Sequence, residues 1–156
     1  MLSPLEKVVF CRFKNAEKSL HSVESWQGLA FELLCLMHIP QIRQALSIGG
    51  VATEVSAWFD KADRQKETKG SQIDLIIERA DRIIHLCEMK FSQGEYRITA
   101  DYEKEKTPRQ DVELFREKIH SKKSLVHTFV TTFGVANGAH SGIVHSEVLL
   151  EDLFKE

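Results

Sequence analysis

GSQIDLIIERADRIIHLCEMK, residues 70–90, contains two apolar runs rich in β-branched residues, separated by the short polar stretch RADR. This pattern predicts two antiparallel strands joined by a tight turn. Three charged residues interrupt it, because Asp74 lies in the first run and Glu88 and Lys90 close the second. An unpaired charge inside a sheet loses its hydration at a cost of several kcal/mol, so these residues require a physical reason.

The turn of this hairpin, centred near Ala80 and Asp81, determines which residues oppose each other. With that centre, partners have residue numbers that sum to about 162, so Asp74 opposes Glu88. Side chains alternate along a strand, and directly opposed residues share a face of the sheet. Asp74, Glu88 and Lys90 are therefore predicted to converge at the end of the hairpin away from its turn.

The rest of the chain predicts helices and strands around this hairpin. A helical apolar period begins at Trp26, with Ser22 and Ser25 as possible N-caps, and restarts after Pro40. The other expected elements are strands at 51–59, 71–78, 83–91 and 124–133, a loop at 60–70, a helix within 101–121, and a terminal strand and turn within 143–154. The order α-β-β-β-α-β with a β/α tail predicts an α/β fold, a mixed central sheet flanked by helices.

The composition is typical of one soluble globular domain, expected at residues 22–156 after an N-terminal extension or linker at 1–21. Its 42% hydrophobic and 28% charged residues exclude a disordered or fibrous chain. The net charge of −2 gives no overall sign of nucleic-acid binding, so a basic site would have to be local. Three scattered cysteines predict a reducing, cytoplasmic location without disulfides. No signal peptide is recognisable, and no apolar run approaches the ~20 residues of a membrane span.

The charged residues of the hairpin suit metal-assisted hydrolysis of phosphodiesters. Two neighbouring carboxylates provide the oxygen ligands that Mg²⁺ prefers, and Mn²⁺ is an alternative. Lys90 beside them could orient an attacking water and help to deprotonate it. Each residue also has a structural interpretation: Asp74 could bind main-chain amides at a strand start, and Glu88 with Lys90 could be an ion pair at a strand end.

Asp74, followed on the adjacent strand by Glu88-x-Lys90, resembles the PD-(D/E)XK nuclease superfamily, the restriction-endonuclease-like fold with an αβββαβ core. The resemblance implies a Mg²⁺-dependent nuclease. It also implies that Glu32, the only charged residue in GLAFELLCLM, joins the metal site from the first helix. The main-chain carbonyl of Met89 would be a further metal ligand. Ile73 stands where the proline of the motif would be.

Most of the chain also resembles the carboxy-terminal nuclease-like domain of prokaryotic AAA+-type ATPases. The similar segments are GLAFELLCLMHIPQIRQALSIGGVATEVSAW, GSQIDLIIERADRIIHLCEMKFSQGEY and SGIVHSEVLLEDLF. The resemblance implies nucleic acid, chiefly DNA, as one partner and an ATPase module as another, with dimerisation left open. Because no P-loop motif occurs, the chain is expected to be a fragment of such an ATPase or a standalone relative. Two hypotheses follow: a Mg²⁺-dependent nuclease, or a non-cleaving nuclease-like module that binds nucleic acid or an ATPase partner.

Overall fold

A computed structural model describes residues 22–60, 71–100 and 122–155, together with Glu6, Lys7, Val9 and Phe115. These residues include two α-helices, α1 (Val23–Met37) and α2 (Ile39–Ala45), and five strands, β1 (Thr53–Asp60), β2 (Ser71–Arg79), β3 (Ile83–Lys90), β4 (Ser124–Thr131) and β5 (Ser146–Leu149). Short 3-10 helices at Ser141–Ile143 and Leu150–Phe154 flank β5. The predictions for 1–21, the 60–70 loop and the 101–121 helix fall almost entirely outside the described residues.

The first helix begins where its capping residue predicts. The Ser22 hydroxyl accepts a hydrogen bond from the Ser25 amide at 3.2 Å, which satisfies one of the unbonded N–H groups of the first turn. Ser22 is therefore the N-cap, and α1 begins at Val23, ahead of the apolar period that starts at Trp26. Neither this helix nor any other among the described residues is long and apolar enough to cross a membrane.

The strands form one mixed sheet, as the sequence predicts. Their order across the sheet is β1-β2-β3-β4-β5. The pairs β1–β2 and β2–β3 are antiparallel, whereas β3–β4 and β4–β5 are parallel. Parallel neighbours require a crossover connection, and the segment between β3 and β4 contains the helix predicted within 101–121. The observed architecture is thus α/β with a five-stranded mixed sheet.

Apolar side chains cover both faces of this sheet. On one face the helices and strands share a cluster that includes Phe31, Cys35, Leu36, Ile42, Leu75, Ile77, Cys87, Met89, Val130 and Val148. On the other face the cluster is Ile73, Ile76, Ile84, Leu86 and Phe115, with Trp58 and Leu125 packed against it. Phe115, from the segment predicted as the second main helix, is buried there with its ring 6.1 Å from that of Trp58.

Strand β2 departs from regular geometry beside Asp74. On either side of the irregularity, β1 and β2 pair through Ser56 with Ile76 and Trp58 with Ile73. Ala57 therefore lies opposite two residues, Asp74 and Leu75, which is a β-bulge. The bulge shifts the side-chain alternation, because Ile73 packs in the same cluster as Ile76. Bulges re-aim side chains in this way and are frequent next to active sites.

Candidate active site

Asp74 lies where the main-chain pairing between β2 and β3 ends. The register predicted from the turn is confirmed for the residue pairs from Leu75 with Cys87 to Glu78 with Ile84. One residue beyond, the Oδ2 atom of Asp74 accepts a hydrogen bond from the main-chain amide of Met89 at 3.0 Å. The side chain of Asp74, only 5% exposed, thus bridges the two strands.

The direction of the Asp74 side chain is set by this bond and not by simple alternation. The sequence argument assumed a regular strand, in which Asp74 directly opposes Glu88 and shares its face. The bulge at Asp74 in the β1–β2 pairing interrupts that regularity. The predicted β2–β3 register is confirmed as far as Leu75 with Cys87, and the direct opposition of Asp74 and Glu88 stays a prediction. The Met89 amide is nevertheless bonded to the Asp74 carboxylate. The main chain of Met89, whose carbonyl is the expected metal ligand, therefore lies beside Asp74.

A second donor fixes the Asp74 carboxylate. The Gln72 side-chain amide donates from Nε2 to Oδ1 at 2.8 Å. The bond from the Met89 amide confirms the structural interpretation of Asp74 as an acceptor of main-chain hydrogen bonds. Each carboxylate oxygen has two lone pairs, so these two bonds do not by themselves prevent the carboxylate from binding a cation.

Glu88 and Lys90 form an ion pair at the end of β3. Lys90 Nζ lies 3.1 Å from Glu88 Oε2, and Glu88 is 7% exposed. This contact confirms the prediction that the two side chains project from one face. Two residues apart on a strand, they share that face because side chains alternate.

Lys90 carries a positive charge at neutral pH in this arrangement. Burial opposes its charged form, but the negative charges of Glu88 and then Asp74, with the hydrogen bond to Glu88, outweigh it and raise the pKa of Lys90 above its usual range. A protonated lysine can donate hydrogen bonds and stabilise negative charge. The role of Lys90 in orienting and deprotonating the attacking water stays a prediction.

Glu32 approaches this region from α1. Burial, followed by the negative charges of Glu32 and Asp74, raises the pKa of the Cys35 thiol to about 12. Burial, followed by the charges of Asp74 and Glu88, likewise raises the pKa of Cys87. Glu32 and Asp74 therefore lie within electrostatic range of Cys35, and Asp74 and Glu88 within that of Cys87.

The described residues do not contain a complete protein-only metal site. Within 22–60, 71–100 and 122–155, no group of three or more His, Cys, Asp or Glu side chains is arranged to hold a metal ion. A cation at Asp74 and Glu88 would therefore take other ligands from the main chain, water and substrate. Mg²⁺ is commonly bound in this manner, by one or two carboxylates with several waters and a phosphate. The participation of Glu32 and the Met89 carbonyl stays a prediction.

Tyr96 joins this neighbourhood although its position in the sequence did not single it out. Its amide donates to the Gly134 carbonyl at 2.7 Å, and its ring packs 6.4 Å from that of Phe129. Phe129 is the partner of Glu88 in the parallel β3–β4 pair. Burial raises the pKa of Tyr96, with an opposing effect of Lys90. The Tyr96 side chain reaches Phe129 because the loop after β3 is hydrogen-bonded to the loop after β4, a contact between distant parts of the chain.

Two histidines, the buried His85 and the half-buried His38, are hydrogen-bonded within the fold. Nη1 of Arg79 donates to Nε2 of His85 at 3.3 Å, so Nδ1 of His85 carries the proton and donates to the Thr128 hydroxyl at 2.9 Å. Burial, with a smaller effect of Arg79, lowers the pKa of His85. His38 donates from Nδ1 to the Leu34 carbonyl at 2.8 Å. These residues stabilise the fold, and His85 lies towards the turn of the hairpin, away from Asp74.

No protein-family model, no curated protein and no solved structure matches this chain. The resemblance to PD-(D/E)XK nucleases therefore rests on the sequence motif, and a function has to be argued from the residues of the site.

Proposed function

We propose that this domain is a nuclease of the PD-(D/E)XK type, which hydrolyses phosphodiester bonds of nucleic acid, chiefly DNA, with Mg²⁺ or Mn²⁺. One observation carries the proposal: two buried carboxylates and a charged lysine lie together where β2 and β3 separate. A charge cluster of this kind opposes folding unless its members are compensated. Binding of a cation and a phosphate would explain why these charged residues are present, whereas a contribution to stability would not.

The residues would divide the chemistry as follows. Asp74 and Glu88 would hold the cation, Glu32 would assist from α1, and the Met89 carbonyl would be a further protein ligand. When bound, the cation supplies Lewis-acid polarisation of the phosphoryl oxygen and activation of a water. Lys90 lies one hydrogen-bond length from Glu88, a position from which its ammonium can orient the attacking water and stabilise developing charge on the phosphate.

The order of elements supports the same proposal. The restriction-endonuclease-like core has the order αβββαβ, and the described helices and strands fit it, with the second core helix expected within 101–121. Asp74 on β2 and Glu88-x-Lys90 on β3 occupy adjacent strands at the centre of the sheet. The bulge at Asp74 adds a feature that often accompanies an active site.

A second candidate function is a nuclease-like module that binds nucleic acid or an AAA+ ATPase partner without cleavage. It is favoured by the contacts that the carboxylates already make: Asp74 accepts two hydrogen bonds, and Glu88 pairs with Lys90. It is also favoured by the lack of a three-residue metal-ligand group among the described residues. A cytoplasmic location and a homodimer are compatible with either function.

Cleavage of supercoiled plasmid and of single-stranded circular DNA tests the proposal. Wild type should nick at least one of the two substrates in the presence of Mg²⁺ or Mn²⁺ and neither of them in the presence of EDTA. We expect Asp74→Ala to abolish this activity and Lys90→Ala to reduce it by about 10²–10³-fold, the usual cost of removing one charge-stabilising group. Lys123→Ala is the matched control, because Lys123 also pairs with a strand glutamate, Glu78, at 2.6 Å but near the turn of the hairpin.

The outcome separates the two functions. If wild type with either cation shows no cleavage above the Asp74→Ala and Lys90→Ala variants, the nuclease proposal is wrong. The binding-module alternative predicts that both variants keep the affinity of wild type for DNA or for the ATPase partner.

A further inference from the structure

The first helix, α1, is apolar on two of its sides. One side is buried, and its residues Phe31, Cys35 and Leu36 belong to the core cluster on the first face of the sheet. A surface helix is normally polar on the side that faces water, and a helix that is apolar all round is normally buried. The two charged residues of α1 are Glu24 and Glu32. The composition of α1 is therefore that of a helix with a contact on each side.

The second apolar side is a line of five residues along α1, which we call the outer stripe: Val23, Trp26, Ala30, Leu33 and Met37. Their spacing alternates between three and four residues, which places them on one side of the helix and is the period of helices that pair with another helix. Val23 is 73% exposed, Trp26 58% and Met37 73%. Ala30 is exposed as well, and Leu33 is half-buried. Single exposed apolar residues are ordinary, whereas a line of them along a whole helix indicates a contact surface.

The outer stripe carries no charge. At 100° per residue, Glu24 and Glu32 both lie about 140° around the helix axis from its centre. The helix contains no Lys or Arg, so the outer stripe offers nothing to the phosphates of a nucleic acid or of an anionic lipid. Two copies of the chain, each with a net charge of −2, can meet here without contact between like charges. These features favour an apolar helix as the partner, and a second copy supplies one.

The area of the outer stripe is sufficient for a reversible dimer. Its three most exposed residues offer roughly 400 Å² of side-chain surface per copy, and the whole stripe about 500 Å². A symmetric pair would thus bury about 1,000 Å² in total, which is near the lower limit for a specific interface between proteins. An interface of this size predicts a dimer whose population rises with protein concentration.

The sizes of the side chains favour an antiparallel pair of helices. In that direction Trp26 of one copy faces Met37 of the other, and Ala30 faces Leu33, so the layers are similar in thickness. A thioether beside an aromatic ring is also a favourable contact. A parallel pair would place two Trp26 rings in one layer and two Ala30 methyl groups in the next, which fits poorly at a single interaxial distance of about 8–10 Å. Antiparallel helix dipoles also attract each other.

We propose that this chain forms a two-fold symmetric dimer in which the outer stripes of two α1 helices pack against each other in antiparallel direction. Each copy contributes the same surface, as a two-fold axis requires. The inference rests on the fold and does not depend on the proposed nuclease activity.

Sedimentation equilibrium of the full chain from about 1 to 100 µM tests the inference. The mass of wild type should rise with concentration from that of one chain towards that of two. Ala30→Glu should raise the Kd of the dimer by about 30-fold or more, because association would bury an unpaired carboxylate in each copy. Ala30 is exposed, so the variant should keep the circular dichroism spectrum and Tm of wild type. Ala139→Glu, the same substitution at an exposed residue of the loop between β4 and β5, is the matched control and should leave the Kd unchanged.

A mixture of two variants tests the direction of the helices. Trp26→Lys and Met37→Glu should each weaken the dimer when alone. In an antiparallel mixed pair the new ammonium and the new carboxylate face each other, so the equimolar mixture should associate more tightly than either variant.

Three results would overturn the inference: a wild type that stays monomeric, an Ala30→Glu variant that dimerises as tightly as wild type, or a mixture that associates no better than its components. Acrylamide quenching then identifies the occupant of the stripe, in a Trp58→Phe background that leaves Trp26 as the single tryptophan. A monomer whose Trp26 is shielded would assign the outer stripe to another segment of this chain. A monomer whose Trp26 is accessible would assign it to a different protein.

Discussion

Replacement of Asp74 by asparagine, combined with titration of Mn²⁺, examines the cation site without relying on activity. The variant keeps the size of the side chain and removes its charge. Asp74 accepts bonds from both the Met89 amide and the Gln72 side chain. An asparagine can present its carbonyl oxygen to only one of these donors, and its NH₂ group would face the other. A hydrogen bond to a charged acceptor contributes about 1.5–3 kcal/mol, so the variant without metal should lose stability in this range.

The gain from metal is a separate quantity. A cation that binds only the folded state stabilises it by about 2.7 kcal/mol at a concentration one hundred times its Kd. For a chain of this length, each kcal/mol corresponds to a change in Tm of about 2–4 °C, so wild type should gain about 5–10 °C. Asp74→Asn should gain nothing at the same Mn²⁺ concentration, because half of the predicted carboxylate pair is lost.

Differential scanning calorimetry at constant ionic strength provides the measurement. Glu78→Gln is the matched control: it removes the same charge from the same strand, and Glu78 pairs with Lys123 near the turn of the hairpin. This control should lose little stability and should keep the full response to Mn²⁺. A wild-type Tm that does not change at millimolar Mn²⁺, or an equal increase in Asp74→Asn, would show that Asp74 is not a cation ligand.

Two further predictions concern the fold. Burial lowers the pKa of His85, so the unfolded chain binds a proton that the folded chain does not once the pH falls below about 6.5. Stability should therefore fall as the pH is lowered through this value, with a slope of at most about 1.4 kcal/mol per pH unit, until His85 is protonated in the folded chain as well. Urea unfolding should show this slope in wild type and in His140→Gln but not in His85→Gln, and an unchanged slope in His85→Gln would contradict it. Gly134 has φ 95°, and an added Cβ would lie 3.1 Å from Glu147 Oε1. Gly134→Ala should therefore lower the free energy of unfolding by about 1–2 kcal/mol in the same assay. Gly138→Ala, where an added Cβ meets no atom within 4 Å, should lower it by less than about 0.5 kcal/mol. Equal losses in the two variants would refute the steric argument.

Several features of the fold could be predicted because they depend on neighbours in the chain. The alternating apolar residues and the polar turn specify the β2–β3 hairpin, and the confirmed register from Leu75 to Glu78 follows from the position of that turn. The Ser22 cap depends on an amide three residues away. Glu88 and Lys90 share a face because they are two apart on a strand, so their ion pair was predictable as well.

The sequence alone thus determined a mixed α/β sheet with a hairpin that carries Asp74, Glu88 and Lys90 on adjacent strands. Tertiary structure decided how those groups are held: a bulge opposite Ala57 interrupts the β1–β2 pairing at Asp74, and the Asp74 carboxylate accepts the Met89 amide. It also decided that the carboxylates of two strands outweigh the burial of Lys90, so that its pKa is raised and not lowered. It also brought the loops after β3 and β4 together, through hydrogen bonds between residues far apart in the chain. Contacts between distant segments leave no periodic pattern in a single sequence, so they could not be predicted from it. Burial and the interaction of charges likewise depend on how the chain packs.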